Sequence, residues 1–504
     1  MSDLYDNTID ADSGEADGRE VVYSADGKTL VFVPRPTEGC FVVAEGTEII
    51  AEGAFGGCRK LDAVVLPKGL RIIANGAFYN CCSLTKIELP DTVTNIGDSA
   101  FEKCKNIGSI SFGNNIEYIG RQAFANCTVL VEITMPDSIE DYGEELFLNC
   151  LNLKKVVIPP SFEYVNASLF DGCVSMEEVV ANGNNHYKTI DGILYSADLQ
   201  SLVYCPPAKA VGHFAVPDGV TDIADGAFAE CRDLTSIEIP ASVEAIGESV
   251  WRHCSQLSQI SITEGGRFEC ADGVIYSAGR RNVIYCNPSN NQSEIVIPQG
   301  VESIMPSAFA HCANIERIVC EAQIITLPDY VFYQCRNLMC VVLPDTVEII
   351  GSHAFDGCAS LAEITMPQNL TSIGEYAFAN CLSLSSIQLP DDTVAKLPEG
   401  VFSDCTALAD VDLPDEITEI GCEAFAGCEK LNYIDLPQKL TKIGAAAFAD
   451  SGLISVAVPS ETTEIEQFAF ANCRQISNFA ASSSTRINDT AFWGCELLDN
   501  IILK

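Results

Sequence analysis

Residues 77–97 read AFYNCCSLTKIELPDTVTNIG, and this stretch decides the fold because its pattern recurs along the chain. The aromatic residue at its second position returns at a near-constant interval of 23 residues, as from Phe55 to Phe78 and from Phe78 to Phe101, and a few of the last spacings slip to 24 or 22. Self-similarity of this kind predicts a repeat array, in which each unit buries its apolar face against its neighbours. The aromatic positions are Phe55, Phe78, Phe101, Phe124, Phe147, Phe170, Phe228, Trp251, Phe309, Phe332, Phe355, Phe378, Phe402, Phe425, Phe448, Phe470 and Phe492.

Each part of the 23-residue unit has its own structural interpretation. The stretch 84–89 alternates apolar and polar residues, as a strand with one buried face does. Pro90 lacks an N–H and therefore fits the end of the strand. The stretch 93–97 is expected to run back along the other side of the coil, and its last residue, Gly97, is suited to the turn that completes the coil. In the stretch 77–81, Phe and Cys lie three positions apart, which predicts a short helical turn. We therefore expect stacked coils with one short parallel strand each, spaced by about 4.8 Å.

The regular interval is interrupted twice, between Phe170 and Phe228 and between Trp251 and Phe309. Each of these gaps contains one repeat and one insert, and the segments VYSADG at 22–27, LYSAD at 194–198 and IYSAG at 275–279 resemble one another. Another aromatic residue, Phe32, Tyr204 or Tyr285, follows at the same distance after each tyrosine. Two apolar runs around a polar turn predict a β-hairpin in each segment.

The sequence therefore divides into seven predicted segments. They are an acidic leader expected to be disordered (1–19), an N-terminal β-hairpin (20–37), repeats (38–180), a hairpin insert (181–210), repeats (211–263), a second hairpin insert (264–292) and repeats (293–504).

The combination of L-x-x-I-x-L-P, V-x-x-I-G and A-F-x-x-C resembles the BspA-like class of leucine-rich repeats, from about residue 20 to the C-terminus. The inserts beginning Asp191-Gly192 and Asp272-Gly273 resemble the D-G-x-x-Y-S hairpins that interrupt that family. The resemblance implies an α/β repeat solenoid, a right-handed leucine-rich-repeat array with a parallel β-sheet on its concave side. It also implies a class found on the surfaces of bacteria and of some parasitic protists. Its members are associated with adhesion to host proteins such as fibronectin and with co-aggregation between cells.

The excess of acidic residues argues against nucleic acid and anionic lipid as partners. The chain has 70 Asp and Glu against 29 Lys and Arg, a formal net charge of −41, so it should repel nucleic acid and anionic lipid. We expect no membrane insertion, because the sequence has no apolar run long enough to cross a bilayer. The N-terminus also lacks the basic start and apolar core of a secretory signal. These features favour the cytoplasm, whereas the family resemblance favours the cell surface or secretion, and the oligomeric state is left open.

Most of the 24 cysteines follow the repeat, and only Ser451 interrupts their ladder. We expect reduced structural thiols, because a residue repeated once per coil fills a small buried space and its neighbours point the same way. Free thiols favour a reducing cytosol or an anaerobic setting. Neither a Cys-x-x-Cys pair nor zinc-like Cys/His spacing occurs, so we expect no metal and no cofactor. The ladder cysteines are Cys58, Cys81, Cys104, Cys127, Cys150, Cys173, Cys231, Cys254, Cys312, Cys335, Cys358, Cys381, Cys405, Cys428, Cys473 and Cys495.

Two histidines are candidates for a catalytic role because of their neighbours. His253 and His311 precede ladder cysteines and suggest a nucleophile–base pair, but Asn80 or Gly57 takes the same position in other coils. Phosphate loops, nucleophile elbows and dinucleotide fingerprints are all missing from the sequence. The sequence therefore predicts a protein that is not an enzyme.

A partner site is expected on the strand positions that flank the buried central residue, which should face the concave surface. Asp410, Asp412, Tyr433 and Asp435 would form an acidic patch with one aromatic ring, suited to a basic protein segment, although a merely solvated face is the alternative. Glu363 and Glu238 occupy equivalent positions. The hairpin tyrosines, Tyr195, Tyr204, Tyr276 and Tyr285, are the next candidates, although the alternative is that the hairpins simply cover the side of the solenoid. The predicted function is a non-catalytic protein-binding module for adhesion or cell-surface interaction, and the alternative is an intracellular scaffold without enzymatic activity.

Overall fold

The structure, a computed structural model, describes residues 20–390, 395–498 and 500–503. The predicted leader at 1–19 lies outside these ranges. The described residues belong to two compact units. Unit 1 runs to Thr235 and includes Ala245–Gln256, and unit 2 comprises Ser236–Glu244 and the residues from Leu257 onward.

The strands are short and numerous, as expected for stacked coils. Up to residue 180 they are β1 (Val22–Tyr23), β2 (Thr29–Phe32), β3 (Glu38–Val42), β4 (Ile49–Ile50), β5 (Lys60–Val65), β6 (Ile72–Ile73), β7 (Lys86–Glu88), β8 (Asn95–Ile96), β9 (Ser109–Ser111), β10 (Tyr118–Ile119), β11 (Glu132–Thr134), β12 (Asp141–Tyr142), β13 (Lys155–Val157) and β14 (Glu178–Val180). They continue as β15 (Tyr187–Ile190), β16 (Ile193–Ser196), β17 (Ser201–Tyr204), β18 (Gly212–Ala215), β19 (Asp222–Ile223), β20 (Leu234–Ile239), β21 (Ala245–Ile246), β22 (Gln259–Ile262), β23 (Phe268–Ala271), β24 (Val274–Ser277), β25 (Asn282–Cys286), β26 (Glu294–Ile297), β27 (Ser303–Ile304), β28 (Arg317–Cys320), β29 (Thr326–Leu327) and β30 (Cys340–Val342). The last are β31 (Ile349–Ile350), β32 (Ser372–Ile373), β33 (Ser386–Gln388), β34 (Lys396–Leu397), β35 (Asp410–Asp412), β36 (Glu419–Ile420), β37 (Lys442–Ile443), β38 (Ser455–Ala457), β39 (Glu464–Ile465), β40 (Asn478–Ala481), β41 (Arg486–Ile487) and β42 (Asn500–Leu503).

Most coils carry two strands, so the expectation of one strand per coil is wrong. The first strand comes from the L-x-x-I-x-L stretch, and β11, for example, pairs in parallel with β13, which pairs with β14. The second strand comes from V-x-x-I-G, and β4, β6, β8, β10 and β12 form a parallel row. The strand partners are one repeat apart in sequence, for example Asn95 and Tyr118. The returning stretch therefore forms a sheet of its own and does not merely close the coil.

The Ala-Phe-x-x-Cys stretch is not the helical turn that the sequence predicts. Ser99 and Lys103, on either side of Phe101, have positive φ angles of 52° and 61°, which interrupt a right-handed helix. The N–H groups of Ser99, Phe101 and Lys103 therefore point along the stack. They donate to carbonyl oxygens of the next coil, each at 2.8 Å.

The α/β description is accordingly not confirmed, because only about 2% of the described residues are helical. The helices among the described residues are three 3-10 segments: Ala167–Phe170, Pro207–Lys209 and Ala278–Arg280. The fold is a β-solenoid of stacked coils. Its handedness and the concave position of the first strands stay predictions.

Antiparallel strands occur within each of the three predicted hairpin segments. The first is a pair, β1 and β2, but the two inserts have three antiparallel strands each, β15–β16–β17 and β23–β24–β25. The turns that start at Asp191 and Asp272 have positive φ at both residues of the Asp-Gly pair, as a type I′ turn requires. The last strand of each segment joins the second-strand row through β4, β19 or β27. The exact segment boundaries stay predictions.

The aromatic ladder lies in the core of both units. The rings of Phe78 and Phe101 stack with centroids 5.1 Å apart, those of Phe425 and Phe448 stack at 5.3 Å, and all four side chains are fully buried. Burying a phenylalanine contributes roughly 1.5–3 kcal/mol, so the ladder is a main source of stability. Its assignment to the core is confirmed.

The ladder cysteines have a role beyond filling space. The thiol of Cys81 donates to the carbonyl oxygen of Phe55 in the preceding coil at 3.2 Å, and Cys104 does the same to Phe78 at 3.1 Å. All 24 cysteines are free thiols. Burial raises the pKa of Cys127 and Cys173 well above the usual range, so these thiols stay protonated and can keep donating.

Candidate functional site

Asp410 and Asp412 lie where the strand pattern predicts. Both side chains are exposed on β35, on either side of the buried Val411. Strand β35 pairs in parallel with β33, and the side-chain amide of Gln388 donates to Asp412 Oδ2 at 3.1 Å. The predicted alternation of buried and exposed residues is confirmed at this strand.

Tyr433 and Asp435 occupy the same repeat positions one coil later, and both are exposed. The ring of Tyr433 is 63% exposed, which is high for a large aromatic residue. The stretch 431–437 forms no strand, however, so the prediction of strand positions is wrong for this coil. The side chains nevertheless flank Ile434, which is half-buried.

The two remaining predicted residues lie apart from this group. Glu363 is exposed two coils before Asp410, in a stretch that also forms no strand. Glu238 is exposed on β20, between the buried Ile237 and Ile239, much earlier in the chain. The set that occupies consecutive coils, here named the acidic patch, consists of Asp410, Asp412, Tyr433 and Asp435.

The acidic patch differs from its surroundings in its ion pairing. Neighbouring coils of unit 2 pair carboxylates with lysines, as in Lys439–Glu416 at 2.6 Å. Among the described residues, no lysine or arginine forms an ion pair with the three aspartates of the patch. The patch is therefore suited to a cation that comes from outside the chain.

The hairpin tyrosines are poor candidates for a docking surface. The side chains of Tyr195, Tyr204 and Tyr276 are buried, and Tyr285 is half-buried. The ring of Tyr204 lies 4.5 Å from that of Phe170, where it continues the aromatic ladder beside the insert. The burial of three of the four rings favours the alternative interpretation, in which the hairpin tyrosines cover the side of the solenoid.

The structure reveals a surface feature that the sequence reasoning missed. The rings of Tyr330 and His353 stack at 4.7 Å, and those of His353 and Tyr376 stack at 5.2 Å. We name these three residues the outer aromatic stack. At one end of the stack, Tyr330 is 40% exposed. At the other end, the ring of Tyr376 lies so close to Gly400 of the next coil that a Cβ at that position would overlap it. The signal was available in the sequence, because all three residues occupy the position two before the ladder phenylalanine.

The neighbours His253 and Cys254 contact different partners. The Nδ1 atom of His253 lies 2.6 Å from Glu230 Oε1, whereas the Cys254 thiol donates to the Phe228 carbonyl oxygen at 3.1 Å. Burial raises the pKa of Cys254, which opposes formation of a thiolate. Within the described ranges, no group of three or more His, Cys, Asp or Glu side chains is arranged to hold a metal ion. No helix in those ranges is long and apolar enough to cross a membrane.

Stacked coils of near-constant length, with parallel strands and a buried aromatic ladder, define a solenoid of the leucine-rich-repeat class. The chain belongs to the BspA type leucine rich repeat region family. The family model matches residues 48–177, 95–215, 207–270, 281–409 and 395–504, some of which overlap.

Several solved structures are similar to this chain. A leucine-rich repeat protein from Eubacterium ventriosum shares 21% identity, covers 86% of this chain and 92% of its own, and has a TM-score of 0.43. A leucine-rich repeat protein from Bacteroides ovatus shares 22% identity over 96% of this chain and 99% of its own, with a TM-score of 0.36. The pneumococcal vaccine antigen PcpA shares 16% identity over 94% and 91%, with a TM-score of 0.36. No curated protein shows significant sequence similarity to this chain.

Proposed function

We propose that this protein is a non-catalytic module that binds protein partners. Leucine-rich repeat proteins generally act as interaction modules, and the chain belongs to a family of that class. The observation that carries the proposal for this chain is the acidic patch. Three exposed aspartates, which form no ion pair with a described residue, occupy equivalent positions with one exposed ring in two consecutive coils.

The chemistry of the acidic patch favours a lysine- or arginine-bearing segment of a partner protein. Aromatic side chains at interfaces often contribute a large share of the binding energy, and Tyr433 is placed to do so. Exposed carboxylates attract a basic partner over roughly 8–10 Å at physiological ionic strength. Binding through the patch should therefore weaken as salt is raised.

Two cellular settings fit this proposal. Adhesion or another cell-surface interaction is favoured by the family resemblance. An intracellular scaffold is favoured by the 24 free thiols, because disulfides form readily in oxidising compartments. Fractionation of the native cells with protease shaving of the surface distinguishes the two, since only a surface protein is cleaved in intact cells.

The test of the acidic patch is a pull-down from the native environment with matched variants. Asp410, Asp412 and Asp435 are changed to asparagine together, which removes three charges but keeps the side-chain volumes. The control changes Asp62, Asp218 and Asp233, exposed aspartates in other coils, to asparagine. The patch variant should lose partners that the wild-type protein and the control retain. Equal recovery by all three proteins would show that the patch is only a solvated face.

A further inference from the structure

The first row of second strands in unit 1, which runs from β2 through β4, β6, β8 and β10, ends at β12 (Asp141–Tyr142). Where β10 pairs with β12, the Gly143 N–H donates to the Ile119 carbonyl oxygen at 2.8 Å. The next coil presents residues 163–166 at the same repeat positions, and they form no strand. Within the described ranges, no N–H group of residues 163–166 donates to a carbonyl oxygen of Glu140 or Tyr142. Strand β12 is therefore an open sheet edge in the middle of a stack of coils.

Tyr142 supplies a physical reason for this break. Its ring stacks on that of Phe162 at 4.7 Å, and its hydroxyl donates to the Tyr164 carbonyl oxygen at 2.6 Å. From the insert, the Tyr187 hydroxyl accepts from the Val165 N–H at 2.9 Å, which ties this coil to the hairpin. The bulky ring of Tyr142 thus takes the place of a smaller branched side chain. In the earlier coils, whose second strands pair with the next coil, the same repeat position holds Ile73, Ile96 and Ile119.

A cleft of about 660 Å³ opens at this break. It is lined by residues 137–144 and 161–164 with Asn166, Ser168 and Leu169, and we name it the acidic cleft. Its lining includes five carboxylates and neither lysine nor arginine, and none of the five forms an ion pair with a described residue. The carboxylates are Asp137, Glu140, Asp141, Glu144 and Glu163.

Unit 2 contains a comparable break with a different charge. Between β27 and β29 the glycine position of the repeat holds Pro328, which has no N–H to donate to the preceding coil. The cleft at this break, named the second cleft, has a volume of about 520 Å³ and is lined by Gln299–Ile304, Gln323, Ile325 and Thr326. Its single carboxylate, Glu302, pairs with Arg281 at 3.4 Å. The two clefts share an open strand edge, but only the acidic cleft carries unpaired charge.

We propose that the acidic cleft binds an extended, lysine- or arginine-bearing segment of a partner protein as an added strand on β12. Backbone N–H groups of the segment donate to the carbonyl oxygens of Glu140 and Tyr142, as an added strand does at an open sheet edge. Alternate basic side chains of the segment reach the carboxylates of the cleft. The proposal rests on the proposed protein-binding function but uses a surface in unit 1, whereas the acidic patch is in unit 2.

The backbone part of the proposal is tested with synthetic peptides and the full chain. A fluorescein-labelled peptide of alternating lysine and valine is titrated by fluorescence anisotropy. Two complementary versions carry N-methyl groups on alternate residues, which removes N–H donors without changing charge. At least one version should bind roughly tenfold more weakly, because it loses hydrogen bonds to β12. The proposal is overturned if both versions bind like the unmodified peptide, or if the unmodified peptide does not bind.

The side chains of the cleft are tested with variants of the protein. Glu140→Gln with Glu163→Gln should weaken peptide binding roughly threefold or more at low salt. The controls are Glu302→Gln in the second cleft and the triple asparagine variant of Asp62, Asp218 and Asp233, which lie in neither proposed site. Both controls should bind the peptide like wild type. Failure of the acidic patch is read separately, from the pull-down with its own triple variant. Equal weakening by the cleft variant and both controls would mean diffuse charge attraction and would refute the site.

Tyr142→Ile provides an independent test, because it restores the residue that closes the other junctions. The variant should lose peptide binding, and hydrogen exchange at the Glu163 and Asn166 amides should slow as the coils pair. Its far-ultraviolet circular dichroism should match that of wild type, which shows that the fold is kept. A folded Tyr142→Ile protein that binds the peptide as tightly as wild type would exclude an added strand at β12.

Discussion

Three consecutive coils of unit 2 carry two aromatic stacks side by side. The inner stack, Phe332, Phe355 and Phe378, has centroid distances of 5.3 and 5.0 Å and is fully buried. The outer aromatic stack has almost the same spacing, 4.7 and 5.2 Å, yet its rings are partly exposed. Stacking by itself therefore does not distinguish a core from a surface.

The difference between the two stacks shows what the solenoid imposes and what it leaves free. Because equivalent positions lie above one another, any residue type repeated in neighbouring coils is brought into contact. The inner position holds an aromatic residue in every coil, since the core requires it. In most other coils the outer position holds a small or polar residue, as at Ser99, Glu145 and Gly400. A single aromatic residue, Phe468, also occupies it, but the run of three stacked rings is specific to these coils. Recurrence along the whole chain marks packing, and local departures mark the positions that are free to acquire a function.

The largest effect is expected from truncating the inner stack. Phe355→Ala should destabilise unit 2 by about 3–5 kcal/mol, because it leaves a cavity between two buried rings. Urea unfolding followed by circular dichroism measures the loss. Phe355→Leu serves as the control and should cost less, since it refills much of the volume. A change below about 1 kcal/mol for the alanine variant would contradict the assignment of this ladder to the core.

The carboxylate of Glu230 is buried, in contrast to the exposed carboxylate of Glu238. Burial alone raises the pKa of Glu230, but hydrogen bonds from His253 at 2.6 Å and Arg232 at 2.8 Å outweigh it and hold the pKa below its ordinary value of 4.5. A carboxyl group with a lowered folded pKa stabilises the fold above its ordinary pKa, and this contribution is lost as pH falls through the folded pKa. Glu230→Gln should therefore cost roughly 1–3 kcal/mol at neutral pH, and less at acidic pH.

The measurement for Glu230 is the difference in unfolding free energy between wild type and variant at several pH values. Glu238→Gln is the matched control, because Glu238 is exposed and forms no ion pair with a described residue. Its difference from wild type should be small and should not change with pH. A Glu230 difference that stays constant from neutral pH to well below 4.5 would show that the carboxylate does not stabilise the fold through its charge.

The outer aromatic stack should contribute much less than the inner one. His353→Ala removes the middle ring and its contact with Asp356, where Nδ1 lies 2.9 Å from Oδ2. We expect a loss of about 0.5–1.5 kcal/mol, the range for aromatic pairs beyond simple burial. Thermal unfolding of this variant beside Phe355→Ala gives the comparison directly. If the two variants lose similar stability, the outer stack belongs to the core.

The smallest effect is expected in the cysteine ladder. Cys358→Ser should cost about 1 kcal/mol or less, because a serine hydroxyl can also donate to the Phe332 carbonyl oxygen that the thiol reaches at 3.2 Å. Ser451 already takes this position in one coil. Burial raises the pKa of Cys358, so iodoacetamide should label it only after unfolding and should label the exposed Cys40 in the folded protein. Fast labelling of folded Cys358, detected by mass spectrometry, would refute the structural role.

Both breaks in the rows of second strands have a signal in the sequence. Pro328 at the glycine position and Tyr142 at the isoleucine position are departures that can be read without a structure. A proline there removes the donor of a ladder hydrogen bond, which is a local and predictable effect. The tie between Tyr187 and Val165 is not predictable in this way, because it depends on where the insert folds back.

The repeat period, the buried ladders and the leucine-rich-repeat class were determined by the sequence alone, because a recurring residue type must face the same environment in every coil. The small helix content was not. The exposed positions of Asp410 and Asp412 followed from the same alternation. Only the tertiary structure decided that the turn segments bond along the stack and not within a helix, since that depends on carbonyl groups supplied by the next coil. It also decided which strand edges stay open, because pairing requires two coils to approach each other along their whole backbone.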